Sequence, residues 1–276
     1  MKMHNVEAGG ASIPCLGLGT WAARGPECAS AVSFALEIGY RHIDTASAYA
    51  NEEAVGEGLR ASRVARDQIF LTTKVGRDDI DEGRLERAAE ASLKRLGVEA
   101  VDLLLIHWPN PAIPLKRSIA ALCKARRRGL ARHIGVSNFT IRLLAEATAL
   151  ADEPIVANQC EYHPWLDQSQ LIAACRKSDV AFTSYSPLGR GGDILAEPKA
   201  LAIAGRHGKT PAQVLLRWHV QQNGVVAIPK SANRQRIAEN IAIFDFSLTE
   251  AEMKELFSLA RPNGRLISLG WAPAWD

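Results

Sequence analysis

No stretch of this 276-residue chain approaches the roughly 20 consecutive apolar residues of a membrane-spanning helix, although 47% of its residues are hydrophobic. That apolar content is spread through short runs, which suits the core of a globular domain. The five cysteines, Cys15, Cys28, Cys123, Cys160 and Cys175, include no CxxC pair. They exclude a disulfide framework and a zinc ribbon, and read as buried or half-buried free thiols in a reducing compartment. Charge of one sign is also scarce: 33 basic against 30 acidic side chains leave a net +3, too little to support nucleic-acid binding. Met1 to Pro14 lacks the apolar run of a signal peptide, so a cytoplasmic location is expected, with no membrane partner. His42, His163, His207 and His219 show no metal-ligand spacing, and no HExxH occurs, so no metal is expected. Linkers and low-complexity tracts are missing as well, and residues 1–276 read as one domain.

What is present is a repeated alternation. After a hairpin signal at Ala8-Gly9-Gly10, short apolar runs recur at Leu16–Thr20, His42–Asp44, Ile69–Thr73, Val101–Ile106, Ile134–Ser137, Val156–Glu161, Ala181–Tyr185 and Val225–Ile228. Between them lie segments of helical period, such as Asp81–Leu96, where Leu85, Ala88, Ala89, Ser92, Leu93 and Leu96 share one face. Thr210-Pro211 is an N-cap with proline in the first turn, and Thr249 with Glu252 forms a capping box for a late extra helix. Eight strands alternating with helices predict a closed (β/α)8 TIM barrel in preference to an open doubly wound sheet.

In such a barrel the working residues gather just beyond the strands' C-terminal ends. Asp44, Lys74, His107, Ser137-Asn138, Gln159-Glu161 and Tyr185-Ser186 all fall there, and Tyr49 follows Asp44 by five positions. A lone buried histidine or tyrosine is usually a satisfied core residue, but several candidates on consecutive loops suggest convergence. A tyrosine hydroxyl near pKa ~10 needs help to transfer a proton near neutrality. A neighbouring lysine would lower that value, and a buried lysine would in turn need an anion such as Asp44. His107 can orient a substrate oxygen. These groups suit reduction of a carbonyl, and since no side chain donates hydride, a cofactor must.

The runs Gly39-Tyr-Arg-His-Ile-Asp-Thr-Ala-x-x-Tyr49, Leu104-Leu-Ile-His-Trp-Pro109, Gly135-Val-Ser-Asn-Phe139, Asn158-Gln-x-Glu-Tyr-His-Pro164 and Ile228-Pro-Lys-Ser231, followed by Arg236-Ile-Ala-Glu-Asn240, resemble the aldo-keto reductase family. The resemblance runs from about Gly17 to Asn240. It implies a catalytic tetrad of Asp44, Tyr49, Lys74 and His107. It also implies NADP(H) as cofactor, with Ser137, Asn138 and Gln159 on the carboxamide and Tyr185 stacked on the ring. Gly19, Thr20, Trp21, Ser186 and Leu188 would lie along it, and Lys230, Ser231, Arg236, Glu239 and Asn240 at the adenosine end. Two cations and a hydroxyl there suit a 2′-phosphate. Trp21, Tyr49, His107, Trp108 and Trp271 would face the substrate. The stretch after Arg261, which includes Trp271 and Trp275, is short, as in bacterial reductases of the 2,5-diketogluconate reductase type.

Two motifs are decoys. Gly17-Leu-Gly-Thr-Trp-Ala22 matches a G-x-G-x-x-A, with Asp44 at a distance suited to a ribose-binding acid, but Arg24-Gly25-Pro26 interrupts and the helix is expected near Glu27. Gly208-Lys209-Thr210 mimics the end of a P-loop, but Ile203 occupies the earlier glycine position. Arg126-Arg127-Arg128 closes a predicted helix, where cations favour the dipole. The expected activity is NADPH-dependent reduction of small aldehydes, ketones, keto-sugars or dicarbonyls by a monomer. The alternative is a redox-sensing subunit with slow turnover.

Overall fold

The computed structural model describes residues 3–276. Strands β1 (Asn5–Ala8) and β2 (Ala11–Pro14) pair antiparallel across Gly9-Gly10, both at positive φ as a tight two-residue turn requires. This hairpin docks at the strands' N-terminal end: Gly9 N donates to Asp179 Oδ2 at 3.0 Å, and a Cβ at Gly9 would meet Val156 Cγ1 at 2.9 Å.

Eight parallel strands follow in order: β3 (Leu18–Gly19), β4 (His42–Asp44), β5 (Phe70–Val75), β6 (Val101–Ile106), β7 (Ala131–Ser137), β8 (Ile155–Glu161), β9 (Ala181–Tyr185) and β10 (Val225–Ala227). Each pairs with its sequence neighbours, and the ring closes where Leu16 bridges Ala227 and Gly19 bridges Lys230. The expected (β/α)8 barrel is therefore what forms. Strands β4, β5, β6, β8 and β10 are buried along their whole length, as helices on the outside and packed side chains within demand.

Helices α1 (Gly25–Glu37), α2 (Glu52–Ala61), α3 (Arg84–Leu96), α4 (Leu115–Arg127), α5 (Ile141–Leu150), α6 (Ser169–Lys177), α7 (Pro198–His207), α8 (Pro211–Val220), α9 (Arg234–Ile241) and α10 (Glu250–Phe257) complete the described chain. The expected caps form at Thr210 and Thr249, each accepting from the amide three residues on. Gly208 ends α7 in the left-handed conformation, which disposes of the P-loop resemblance.

Several boundaries differ from expectation: β7 starts three residues early at Ala131, α3 starts three late at Arg84, and three further differences bear on the site. Helix α1 begins at Gly25, because Pro26 sits in the first turn and starts the helix there. The first barrel strand is short, since Cys15, Gly17 and Gly19 are spent on the ladder to the last strand. Strand β5 runs on through Val75 because β6 pairs with it to Ile106, so Lys74 lies within the strand. All five cysteines are free and buried. The Arg126–Arg128 cluster is occupied by Glu153, Asp152 and Glu90. Among the described residues no helix is long and apolar enough to cross a membrane.

Candidate active site

The C-terminal ends of β3 to β10 surround a cleft of about 1000 Å³. Its floor is built from the ends of β4, β5 and β6. Asp44 closes β4, and the chain then makes one 3-10 turn, Ser47–Tyr49, before α2. Ser47 Oγ donates to Lys74 O at 3.0 Å, tying that turn to the neighbouring strand. Asn51 locks it from the other side: its amide donates to Thr20 O at 2.8 Å and Ala23 O at 3.0 Å, while Thr45 Oγ1 donates to its Oδ1. The turn that carries Tyr49 and the loop that carries Trp21 are therefore tied together through Asn51.

Lys74 is wholly buried. Its ammonium donates to Asp44 Oδ1 at 2.5 Å, to Thr45 O at 2.8 Å and to the Tyr49 hydroxyl at 3.4 Å. The other Asp44 oxygen accepts from Gln159 Nε2 at 2.7 Å, so both buried charges have partners. Burial pushes the lysine pKa down, but Asp44 and Tyr49 together outweigh it and the net direction is up. The charged ammonium is thus the favoured form. Tyr49 shows the opposite contest: burial raises its pKa, Lys74 lowers it, and burial wins. The lysine's pull is readable from the sequence but this balance is not, because the low-dielectric surroundings of the phenol are visible only in three dimensions. The outcome is a phenol that holds its proton.

His107 meets the Tyr49 ring edge-on at 5.6 Å. Burial and then Lys74 drive its pKa down to about 3, so the imidazole is neutral and acts as a hydrogen-bonding group. Tyr49 and His107 line the cleft together, while Lys74 stands behind them out of its lining.

Beside this floor, Asn138 sits at positive φ after β7 and donates to His107 O at 3.0 Å, and its Oδ1 accepts from the Tyr185 hydroxyl at 2.8 Å. Ser137 is turned inward, donating to Gln159 O at 2.7 Å, and does not reach the cleft surface. Asn138, Gln159, Tyr185, Ser186 and Leu188 do line it, as do Gly19, Thr20 and Trp21. At the far end Lys230, Ser231, Arg236, Glu239 and Asn240 line the same cleft around the start of α9. Among the described residues neither Lys230 nor Arg236 has a salt-bridge partner, so two cations are available to an anion there. A cleft lined by these two cations and by the side-chain amides of Asn138 and Gln159 fits a dinucleotide phosphate.

The aromatic wall is less uniform than expected. Trp21 is 51% exposed and lies under the Arg190 guanidinium at 5.0 Å. Trp108 is buried and lines the cleft, whereas Trp271 stands outside it, packed edge-on against Trp108 at 5.1 Å. Sequence reasoning missed Arg190, Asn51, Ile267 and Leu269. Arg190 and Asn51 follow strand ends and share the position signal of the tetrad, but the stretch holding Ile267 and Leu269 has no period to read.

The model of the aldo/keto reductase family matches residues 15–261. Over 249 residues the chain is 43% identical to a methylglyoxal reductase, DkgA, of Salmonella typhimurium, covering 90% of each protein. A crystal structure provisionally designated a 2,5-diketo-D-gluconic acid reductase B superposes with a TM-score of 0.97 at 45% identity, over 100% of this chain and 98% of that one. A Bombyx mori aldo-keto reductase solved with NADP gives 0.88 at 35% identity, over 94% of each chain.

Proposed function

The chain belongs to the aldo/keto reductase family and is an NADP-dependent oxidoreductase, and from that premise we propose that it reduces small aldehydes, ketones and dicarbonyl compounds with Tyr49 as the general acid. One observation carries this reading: the Tyr49 hydroxyl and the His107 imidazole share the cleft floor, with the buried Lys74 ammonium 3.4 Å behind the hydroxyl. NADPH, when bound, supplies the hydride that no side chain can. Asn138, Gln159 and Tyr185 are assigned to the nicotinamide end, and Lys230, Ser231, Arg236, Glu239 and Asn240 to the adenosine end.

The chain's own residues do the rest. His107 donates its one N–H to the carbonyl oxygen and holds it beside the Tyr49 hydroxyl. Tyr49 passes its proton to that oxygen as negative charge develops there. Lys74 then faces a new phenolate, and its charge stabilises the anion at the step where it forms. Asp44 keeps the lysine charged and in place, while Gln159 fixes the carboxylate. The Asn51 bonds hold Tyr49 and Trp21 in register across the mouth. One (β/α)8 unit, acting as a monomer, carries both sites.

Steady-state oxidation of NADPH with methylglyoxal, a keto-sugar and an aromatic aldehyde tests the proposal. Turnover of at least one supports it. Tight NADPH binding with no turnover across the panel would favour a redox-sensing subunit.

A further inference from the structure

Glu161 ends β8 two positions beyond Gln159, so both side chains rise from one face of the strand. Gln159 reaches the tetrad. Glu161 is buried as completely, yet its carboxylate bonds to a different part of the molecule. Oε1 accepts from His163 Nε2 at 2.9 Å and from the backbone amide of Leu266 at 2.6 Å. Oε2 accepts from the amide of Ile267 at 3.0 Å and lies 3.9 Å from the Arg265 guanidinium. A buried carboxylate with three N–H donors and a cation is a built receptor, and its occupant is the stretch after α10.

That stretch contains no helix or strand, so its amides have no ladder of their own. Beyond the anchor, Ile267 and Leu269 line the cleft. The next residues are held from outside. Trp271 stacks under Arg77 at 4.3 Å and against Trp108, Trp275 lies under Arg265 at 3.7 Å, and Asp276 accepts from Ile141 N at 2.6 Å. The cleft-facing pair is therefore suspended between two fixed points, and Glu161 is the barrel-side one.

We propose that Glu161 is a positioning residue for substrate selection: by gripping the amides of Leu266 and Ile267 it sets the apolar wall formed by Ile267 and Leu269, and so decides which carbonyl compounds fit. This rests on reading the cleft as the carbonyl site. The floor of the site does not depend on the grip, because no bond of the Glu161 carboxylate reaches Asp44, Tyr49, Lys74 or His107.

Glu161→Gln replaces one acceptor oxygen by a donor that faces the amides. Leu266→Pro removes one gripped amide from the other side and leaves every barrel strand intact. Kinetics with methylglyoxal and with 4-nitrobenzaldehyde, together with NADPH affinity by fluorescence, separate the outcomes. Both variants are expected to keep NADPH affinity and methylglyoxal kcat within twofold. The KM for the aromatic aldehyde is expected to rise tenfold or more, because only the larger substrate needs the wall. Equal KM values in wild type and Leu266→Pro would overturn the proposal, whether or not Glu161→Gln folds. So would a matched loss of kcat on both substrates. Failure of the wild type on every carbonyl would instead sink the reading of the cleft and is distinguishable from either result.

Discussion

Lys74 Nζ stands 2.5 Å from Asp44 Oδ1 and 3.4 Å from the Tyr49 hydroxyl. The lysine is thus committed to the carboxylate and only leans on the phenol. A closer approach to Tyr49 would draw the phenol towards ionisation before any substrate arrived. At this spacing the phenol stays protonated, and the ammonium contributes most once the phenolate forms. Lys74→Met should therefore lose nearly all turnover. It should also lower stability by about 3–5 kcal/mol, because Asp44 is left buried with no counter-charge. Urea unfolding checks the second effect, and a stability unchanged from wild type would contradict it.

His107 is expected to stay neutral far into acid, with its pKa pushed down to about 3 by burial and by Lys74. Nitrogen-15 shifts of the imidazole should show one protonated and one bare nitrogen throughout the pH range 5 to 8. A titration near the ordinary histidine value of about 6.5 would refute the role of a neutral donor.

At the far end of the cleft, Lys230→Met and Arg236→Met should each raise KM for NADPH by about 10- to 100-fold, the worth of one charge-assisted hydrogen bond. NADH, which lacks the 2′-phosphate, should be nearly unaffected by either change. The ratio of the two cofactors' kcat/KM measures this directly, and equal losses with both would remove these residues from phosphate recognition.

Acid should weaken the fold in two stages. Burial holds His107 and His219 at about 3 and lowers the pKa of His42 too, so below about pH 6.5 the unfolded chain takes up protons that the folded chain refuses. Stability is thus full above that value and falls as the pH drops below it. Glu252 adds a lower window. Burial works against its charge, but the Thr249 amide, His207 and Arg206 prevail and hold it at about 2. Its contribution is present above the unfolded value of about 4.3 and is lost as the pH falls towards 2. Urea midpoints at pH 7, 5.5, 4 and 3 should decline in order, and Glu252→Gln should flatten chiefly the interval between pH 4 and 3.

The residues at the strand ends were legible because a short apolar run stops where the barrel mouth begins. Asp44, Lys74 and His107 stand out as ionisable groups at those stops. Barrel closure was legible only as a count of strands, since the Leu16–Ala227 bridge joins positions more than two hundred residues apart. The pKa direction of Tyr49 was not readable, as it depends on how much protein surrounds the hydroxyl. Nor was the role of Glu161. Its strand position was plain, but its partners are backbone amides in a segment with no pattern, and an amide leaves no trace in the residue letters. Trp271 illustrates the converse: its type suggested a cleft wall, and the structure places it one layer out, supporting Trp108.

The claim that Tyr49 is the proton donor is tested most directly by Tyr49→Phe. The substitution removes one hydroxyl and leaves the ring against His107. NADPH affinity should match wild type, while kcat for methylglyoxal should fall by about 10²- to 10⁴-fold, the usual worth of a positioned general acid. A kcat within a few-fold of wild type would contradict the account.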